Sequence, residues 1–396
     1  MIKTHLPLLA PWPFYAEDEV EAAANVLRNG KVNYWTGQEG RRFEEEYAVA
    51  AGCKYAVALG NGTNALELAL LALQIPQGSE VITTPRTFIA SASCIVMHGC
   101  VPVLADVDPD SGNITAESIA QVITPNTSAI IAVHLAGWPC DMDPIMALAE
   151  KHGLKVIEDC AQANGATYKG RPVGSIGHVG CFSFCQDKII TTGGEGGMLT
   201  TCDEALWRRA WEFKDHGKSY EAVYQREHAP GFRWLHESFG TNWRMTEMQA
   251  AIGRLQLRKL KEWTSCRRNN MNKLYFGLVG LAALRIPRPM DDLGHAAYKA
   301  YVYLRPEMLK PEWTRDKIML NIGAQGVPCF SGSCSEIYLE KAFISAGLGP
   351  DGRLTNAKIL GETSLMFLVH PTITGEQMDR VIEATREVVL RATIGC

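Results

Sequence analysis

Apolar residues recur in short continuous runs from Lys54 to about Leu199, each followed by a turn and then by a stretch with helical spacing. The runs are YAVAL (55–59), EVITT (80–84), VPVLADV (101–107), AIIAVHL (129–135), LKVIED (154–159), GCFSF (180–184) and GMLT (197–200). Most lack polar alternation, which is the pattern of strands covered on both faces. Between the first two, GTNALELALLAL repeats Ala65, Leu66, Ala69, Leu70 and Leu73 on one helical face, and MDPIMALAEKHG separates the fourth run from the fifth. Strand and helix alternating in this way predict an α/β domain built on one seven-stranded, mostly parallel sheet.

The pattern changes beyond the sheet. Residues 201–240 are polar and rich in Trp, His and Lys, and a periodic stretch then opens at Thr246, where T-E-M-Q has the form of a capping box. A long helix is expected from there through Ile252, Leu255 and Leu260. After Pro287 come AAYKAYVYLR, a helix, VPCFSG, and TSLMFLVHPTIT before a last helix, which predicts a smaller α+β domain. The expected division is a large domain with an N-terminal arm over residues 1–260 and a small domain over 261–396.

Composition narrows the class. A chain of 396 residues exceeds one simple core. Its 46% hydrophobic and 21% charged residues describe a globular protein, and a formal charge of -4 argues against a nucleic-acid binder. No apolar run reaches the length of a membrane span. The start, MIKTHLPLLAPWPFY, is broken by prolines and lacks a signal-peptide core, so a cytoplasmic location is expected. Twelve dispersed cysteines with no CxxC pair read as free, mostly buried thiols, without a disulfide framework or a metal site.

Three places carry candidate chemistry. CQDKIITTGGEGGM (185–198) sets Lys188 just past an apolar strand and before four glycines. A lysine there is partly desolvated, which favours its neutral, nucleophilic form, and glycines allow tight turns and close backbone approach. A surface lysine before a flexible loop fits the same local pattern. Gly62-Thr63-Asn64 stands where the first strand meets its helix, and the free amides of a helix N-terminus stabilise an anion such as phosphate; such residues also cap ordinary helices. Asp159 ends LKVIED, and a carboxylate at the carboxyl edge of a parallel sheet is placed for a ligand, or for capping the next helix. Lysine, acid and phosphate cradle together fit pyridoxal 5'-phosphate.

Nearly the whole chain, from GKVNYWTGQEGRRFEEEYA at residue 30 onward, resembles the DegT/DnrJ/EryC1/StrS family of sugar aminotransferases, above all in SFCQDKIITTGGEGG (183–197) and GTNWRMTEMQAAIGRLQL (240–257). The resemblance implies the aspartate-aminotransferase-like fold, pyridoxal phosphate fold type I. It implies Lys188 as the lysine that carries the cofactor and shuttles the proton, and Asp159 as the acid paired with the ring nitrogen. Gln162 matches the glutamine near the phenolic side of the ring. Gly62, Thr63 and Ser183 match phosphate-binding positions, and Phe88 the aromatic residue on the cofactor face. Asn242 matches an asparagine that reaches the phosphate of the neighbouring subunit, which implies a homodimer with shared active sites. His134, Glu195 and Arg244 stay open: a cofactor neighbour or a satisfied strand-end histidine, a substrate contact or a loop brace, a donor-carboxylate ligand or an ion-pair partner.

The reaction implied by the resemblance is a two-stage transamination. L-glutamate passes its amino group to the cofactor, leaving pyridoxamine 5'-phosphate, and a keto sugar then takes it up. The acceptor implied is nucleotide-linked, a 4-keto-6-deoxy or 3-keto sugar. The chain departs from the family at VPCFSGSCSEIYLEKAF (327–343) and TSLMFLVHPTIT, which border the acceptor site in relatives. A related deoxy-sugar dehydratase is the first rival, but that subgroup has histidine where this chain has Lys188. A non-catalytic regulatory or structural homologue is the second, and it would be expected to lose Lys188, Asp159 or the phosphate cradle.

Overall fold

The structure, a computed structural model, describes residues 9–395. The first eight residues of the proline-broken start therefore lie outside the described part. In chain order the strands of the first half are β1 (Tyr55–Leu59), β2 (Glu80–Thr83), β3 (Val101–Leu104), β4 (Thr127–Val133), β5 (Lys155–Asp159), the short pair β6 (Thr167–Tyr168) and β7 (Arg171–Pro172), then β8 (Val179–Ser183) and β9 (Gly197–Thr201). Seven of them form one sheet in the order β1-β9-β8-β5-β4-β2-β3. All seven expected runs are strands of this sheet. β3, β2, β4, β5 and β8 pair in parallel, and only β9 runs antiparallel to its neighbours β8 and β1.

The continuous apolar runs are explained by burial on both faces. Ile157 and Val133 pack into one cluster with Leu66, Ala69 and Leu70 of the Gly62–Ala72 helix. Ile130 and Val156 face the other way, with Ile145 and Ala149 of the Met142–His152 helix. The fourth run ends two residues earlier than its apolar pattern, because His134 leads into a tight turn over Leu135–Gly137 in which Ala136 has φ 57°.

The expected long helix runs Glu247–Leu278. Its capping box is formed: the Gln249 amide donates to Thr246 Oγ1 at 3.4 Å, and the Thr246 amide to Gln249 Oε1 at 2.9 Å. The helix passes residue 260 without interruption. Ala250 packs in the cluster beneath β8 and β9, whereas Met271, Leu274 and Leu278 enter a separate core. That second core lines a four-stranded antiparallel sheet of β10 (Leu284–Arg285), β12 (Ala300–Leu304), β13 (Cys329–Phe330) and β14 (Ser364–Phe367), while β11 (Leu293–Gly294) pairs with β6. The closing helix is Gly375–Ala392.

Every described cysteine is free, as expected, but burial is uneven: Cys181 is buried, Cys185 half-buried, and Cys202 and Cys334 exposed. Among the described residues no helix is long and apolar enough to cross a membrane.

Candidate active site

The carboxyl ends of β4, β5 and β8 lie side by side, so the residues that follow them converge on one edge of the sheet. Asp159 closes β5, opposite Cys181 of β8 in register. Its carboxylate is buried, with Oδ2 accepting from Ser91 Oγ at 2.7 Å and Oδ1 from the Ala161 amide at 3.0 Å. Two bonds leave lone pairs on both oxygens for a further N–H donor. Ser91 in turn meets Thr87 Oγ1 at 2.9 Å, which ties the carboxylate to the loop that carries Phe88.

Phe88 is 68% exposed. That excludes the core role a lone Phe in an apolar run would ordinarily have, and leaves a large aromatic face beside the sheet edge for a ligand to cover. The same loop is fastened to the segment where the chain departs from its resemblance. The Thr87 amide donates to Cys334 O at 3.0 Å, the Ile337 amide to Pro85 O at 3.0 Å, and buried Arg86 donates to Ser335 Oγ at 2.7 Å.

Gly62 is the first residue of its helix, capped by Asn61, whose side chain accepts from the Asn64 amide at 2.9 Å. The amides of Gly62 and Thr63, in the first turn, have no acceptor within the helix and are available to an anion. Ser183, at the end of β8, comes so close that a methyl group on Gly62 would lie 2.7 Å from its Cβ. Glycine is needed here for proximity. Gly197 has the same need from the other side, since its methyl would meet Asn61 O at 2.2 Å. That glycine of the Lys188 motif thus serves the cap of the Gly62–Ala72 helix. Extending Gly62 to alanine is expected to weaken pyridoxal phosphate binding about tenfold or more, the about 1–3 kcal/mol of an overpacked contact. Equilibrium dialysis measures it, and an unchanged affinity would remove Gly62 from the cradle.

Gln162 is buried, and its Oε1 accepts from the Ala136 amide at 2.8 Å, so the amide carbonyl is fixed by the tight turn after β4. Lys188 follows β8 with a side chain only 15% exposed. Its Nζ lies 5.0 Å from the centroid of the Tyr298 ring and 4.0 Å from Asp187 Oδ1. Trp12 Nε1 donates to the Lys188 carbonyl at 2.9 Å, which anchors the backbone beneath the side chain. The partly desolvated lysine expected from the motif is what the fold provides; the surface-lysine reading is not.

Asn242 is exposed, on a strand-like segment bridged to Asp215. The next residue accepts from the Gly60 amide through Trp243 O at 3.0 Å. The three open residues have different surroundings. His134 turns away from the sheet edge: Nδ1 accepts from the Cys140 amide at 3.0 Å, which leaves Nε2 to donate to Glu158 Oε2 at 3.0 Å. Arg244 Nη1 lies 2.6 Å from Asp215 Oδ1 of its own chain, while its buried Nε has no partner among the described residues. Glu195 holds the loop through its carbonyl, which accepts from Thr192 Oγ1 at 2.5 Å and Gln249 Nε2 at 2.8 Å.

His134, Glu158 and Cys160 bring potential metal ligands within 4.8 Å of one another. The His134 and Glu158 atoms are engaged in a hydrogen-bonded brace instead. Glu158 also accepts from the amides of Gly174 at 2.9 Å, Ile176 at 2.7 Å and Gly177 at 2.7 Å. Burial pushes the Cys160 thiol well up, keeping it protonated. Glu158 and Ser91 lie outside the sequence-derived set, while His134 was one of its open residues. Ser91 follows Thr87 by one helical turn in PRTFIAS, the only local sign that the two hydroxyls would meet.

A lysine just past β8, a buried acid at the end of the neighbouring strand β5 and a helix N-terminus with free amides suit a pyridoxal-phosphate enzyme of fold type I. The profile of the DegT/DnrJ/EryC1/StrS aminotransferase family matches residues 13–386. The chain belongs to that family, and it is a pyridoxal-phosphate-dependent aminotransferase. It is 38% identical to GDP-perosamine synthase of Caulobacter vibrioides over 90% of this chain and 92% of that one. It is 40% identical to UDP-N-acetyl-3-dehydro-alpha-D-glucosamine 3-aminotransferase of Acidithiobacillus ferrooxidans, over 90% of each. Among solved structures, an aminotransferase from Psychrobacter cryohalolentis superposes with a TM-score of 0.96 at 58% identity, covering 97% of this chain and 99% of that one.

Proposed function

We propose that the chain moves an amino group from L-glutamate to the carbonyl of a nucleotide-linked keto sugar, of the 3-keto or 4-keto-6-deoxy kind, in the cytoplasm and as a homodimer that shares its active sites. The observation that supports this reading is the half-buried Lys188 just past β8, with the buried carboxylate of Asp159 at the end of the neighbouring strand β5 and Gly62 in close approach to Ser183 at the end of β8. The substrate class is supported by relatives of about this chain's length that are named for amino transfer to, or synthesis of, nucleotide-linked amino sugars.

When bound, pyridoxal phosphate supplies an electron sink for breaking the C–H bond at the amino-bearing carbon. In this reading Lys188 tethers the cofactor and then, once displaced, carries the proton as general base and acid. Asp159 holds a proton on the ring nitrogen, and Ser91 and the Ala161 amide keep that carboxylate oriented. The amides of Gly62 and Thr63 and the hydroxyl of Ser183 grip the phosphate, Gln162 braces the ring's phenolic side, and Phe88 covers one face. Lys188 is itself the reason to prefer transfer over dehydration, and the presence of every element of the cradle argues against a non-catalytic homologue.

The test has two parts. Incubation with glutamate and a panel of keto-sugar nucleotides should give an amino sugar detectable by mass spectrometry; turnover of keto acids alone would reject the sugar assignment. Mixing two weak variants, Lys188→Ala and Asn242→Ala, should restore about a quarter of the activity, because half the dimers are hybrid and each hybrid keeps one intact site. No recovery would place Asn242 outside its partner's site.

A further inference from the structure

Lys299 stands next to the site on β12's approach, and nothing above uses it. Its Nζ lies 4.6 Å from the centroid of the same Tyr298 ring that Lys188 faces, and 3.9 Å from Asp187 Oδ2, while Lys188 is 4.0 Å from Oδ1 of that carboxylate. The two ammonium groups are therefore neighbours that share one ring and one counter-ion. At 3.9 Å the pairing with Asp187 is too long for a hydrogen bond. Asp187 Oδ2 is already taken by the Tyr298 hydroxyl, and the Lys299 ammonium makes no hydrogen bond among the described residues. Its side chain is only 17% exposed.

The charges around it do not balance. Arg267, from the Glu247–Leu278 helix, is buried against Trp12, with its guanidinium 4.8 Å from the indole. Its Nη1 donates to Tyr298 O at 3.4 Å, and its Nε and Nη2 have no partner among the described residues. His370, which stacks on Trp12, is driven down to about 3 by burial and by Arg267 and Lys299, so it is neutral. Tyr298 is pushed up by burial and Asp187 and stays a neutral hydroxyl. Even with the Lys188 amine uncharged, two cations, Lys299 and Arg267, face the single carboxylate of Asp187.

We infer that Lys299 is the residue that binds the carboxylate of the amino donor next to its reacting carbon, with Arg267 reinforcing the positive field behind it. This rests on the transamination reading above. Geometry selects the donor over the acceptor. In an α-amino acid the carboxylate oxygens lie about 2.4 Å from the carbon whose proton Lys188 must move. The phosphates of a nucleotide-linked sugar are several bonds from a ring carbonyl at position 3 or 4. An ammonium that shares its ring and counter-ion with Lys188 suits the nearer anion. Arg244, the other candidate for this task, already has a carboxylate, Asp215, 2.6 Å from its Nη1, whereas Lys299 has none within hydrogen-bond distance. Lysine offers three donors and a compact charge, which is enough for one carboxylate without the fork of an arginine.

The full-length protein is titrated with glutarate, a dicarboxylate that cannot react, and binding is followed by tryptophan fluorescence. Lys299→Met, nearly equal in volume, should weaken glutarate at least tenfold, and Lys299→Arg should recover part of the loss. In steady state the same methionine variant should raise KM for glutamate by a similar factor and leave KM for the keto sugar alone. Burial, with Arg267 and Lys188 adding to it and Asp187 opposing, brings Lys299 down to about 8. Glutarate binding to the wild type should therefore fall as pH rises through about 8, and this fall should be absent in Lys299→Met. A raised KM for the sugar with unchanged glutarate binding would overturn the inference, as would equal affinities in wild type and Lys299→Met. Glutarate binding that depends on Lys299 in a protein unable to aminate any sugar would instead count against the acceptor proposed above, and leave the donor site standing.

Discussion

Replacing Lys188 by alanine is expected to lower kcat by at least about 10^4-fold, the combined loss of a covalent catalyst and a general acid/base. The fold should survive the change. The side chain makes a ring contact and a loose ion pair, whereas the backbone of this segment is held independently by Trp12 through the Lys188 carbonyl and by the Lys188 amide, which donates to Cys185 O at 3.0 Å. Asp159 and the Gly62 cradle are untouched by the mutation, so the variant should still retain pyridoxal phosphate without a covalent bond. Borohydride, which should fix the cofactor to Lys188 in the wild type, should fix none in the variant. If peptide mapping found the label on another side chain, the assignment of Lys188 would fail, and with it the site.

Removing Glu158 should cost stability more than any change at the site itself, although the residue lies one position before Asp159. Successive residues of a strand point to opposite faces. Glu158 therefore faces away from the cofactor edge, fully buried, and accepts from His134 and from three amides of the 174–177 loop. Glu158→Ala leaves four donors, two of them fully buried, without an acceptor, a loss of at least about 3 kcal/mol in unfolding free energy. Glu158→Gln should also destabilise, because its NH2 would confront donors. Urea unfolding at pH 7 measures both; a shift within about 1 kcal/mol of wild type would mean that the brace is dispensable. Burial alone would raise this carboxyl, but the hydrogen bond from His134 and those from the Gly174 and Gly177 amides outweigh it, and the group is held below its ordinary 4.5. A depressed carboxyl contributes stability that is complete above the unfolded value and fades as pH falls below 4.5 toward the folded one. The difference between wild type and Glu158→Gln should accordingly be largest near neutrality and shrink in acid.

The two carboxylates show where sequence reading stops. In LKVIED both stand at the end of one apolar run, and either could be assigned to the ligand edge on composition alone. Strand-end position pointed to Asp159 and the resemblance gave it a role, but only the packed sheet shows Glu158 committed to His134. His134 itself was equally open, because a histidine after a buried strand has the same local pattern whether it turns toward the edge or away from it. Phe88 is a related case. Its run is apolar, yet the chain bends at Thr84–Thr87 and leaves the ring exposed, held by contacts with residues 334 and 337 from the far end of the sequence.

By itself the sequence determined what depends on near neighbours. Unbroken apolar runs specify strands buried on both faces, Thr246 and Gln249 specify where a helix begins, and the order of motifs identifies a lysine-centred pyridoxal-phosphate fold. Tertiary structure alone decided how distant segments meet. It set Gly62 against Ser183, placed Gly197 beside Asn61, paired Arg244 with Asp215, and brought Lys299 to the ring and carboxylate that Lys188 already uses. Periodicity encodes which face of an element is buried, because that follows from residue spacing along one segment. Which charged group finds a partner, and which is left without one, depends on segments far apart in the chain, and no local pattern carries that information.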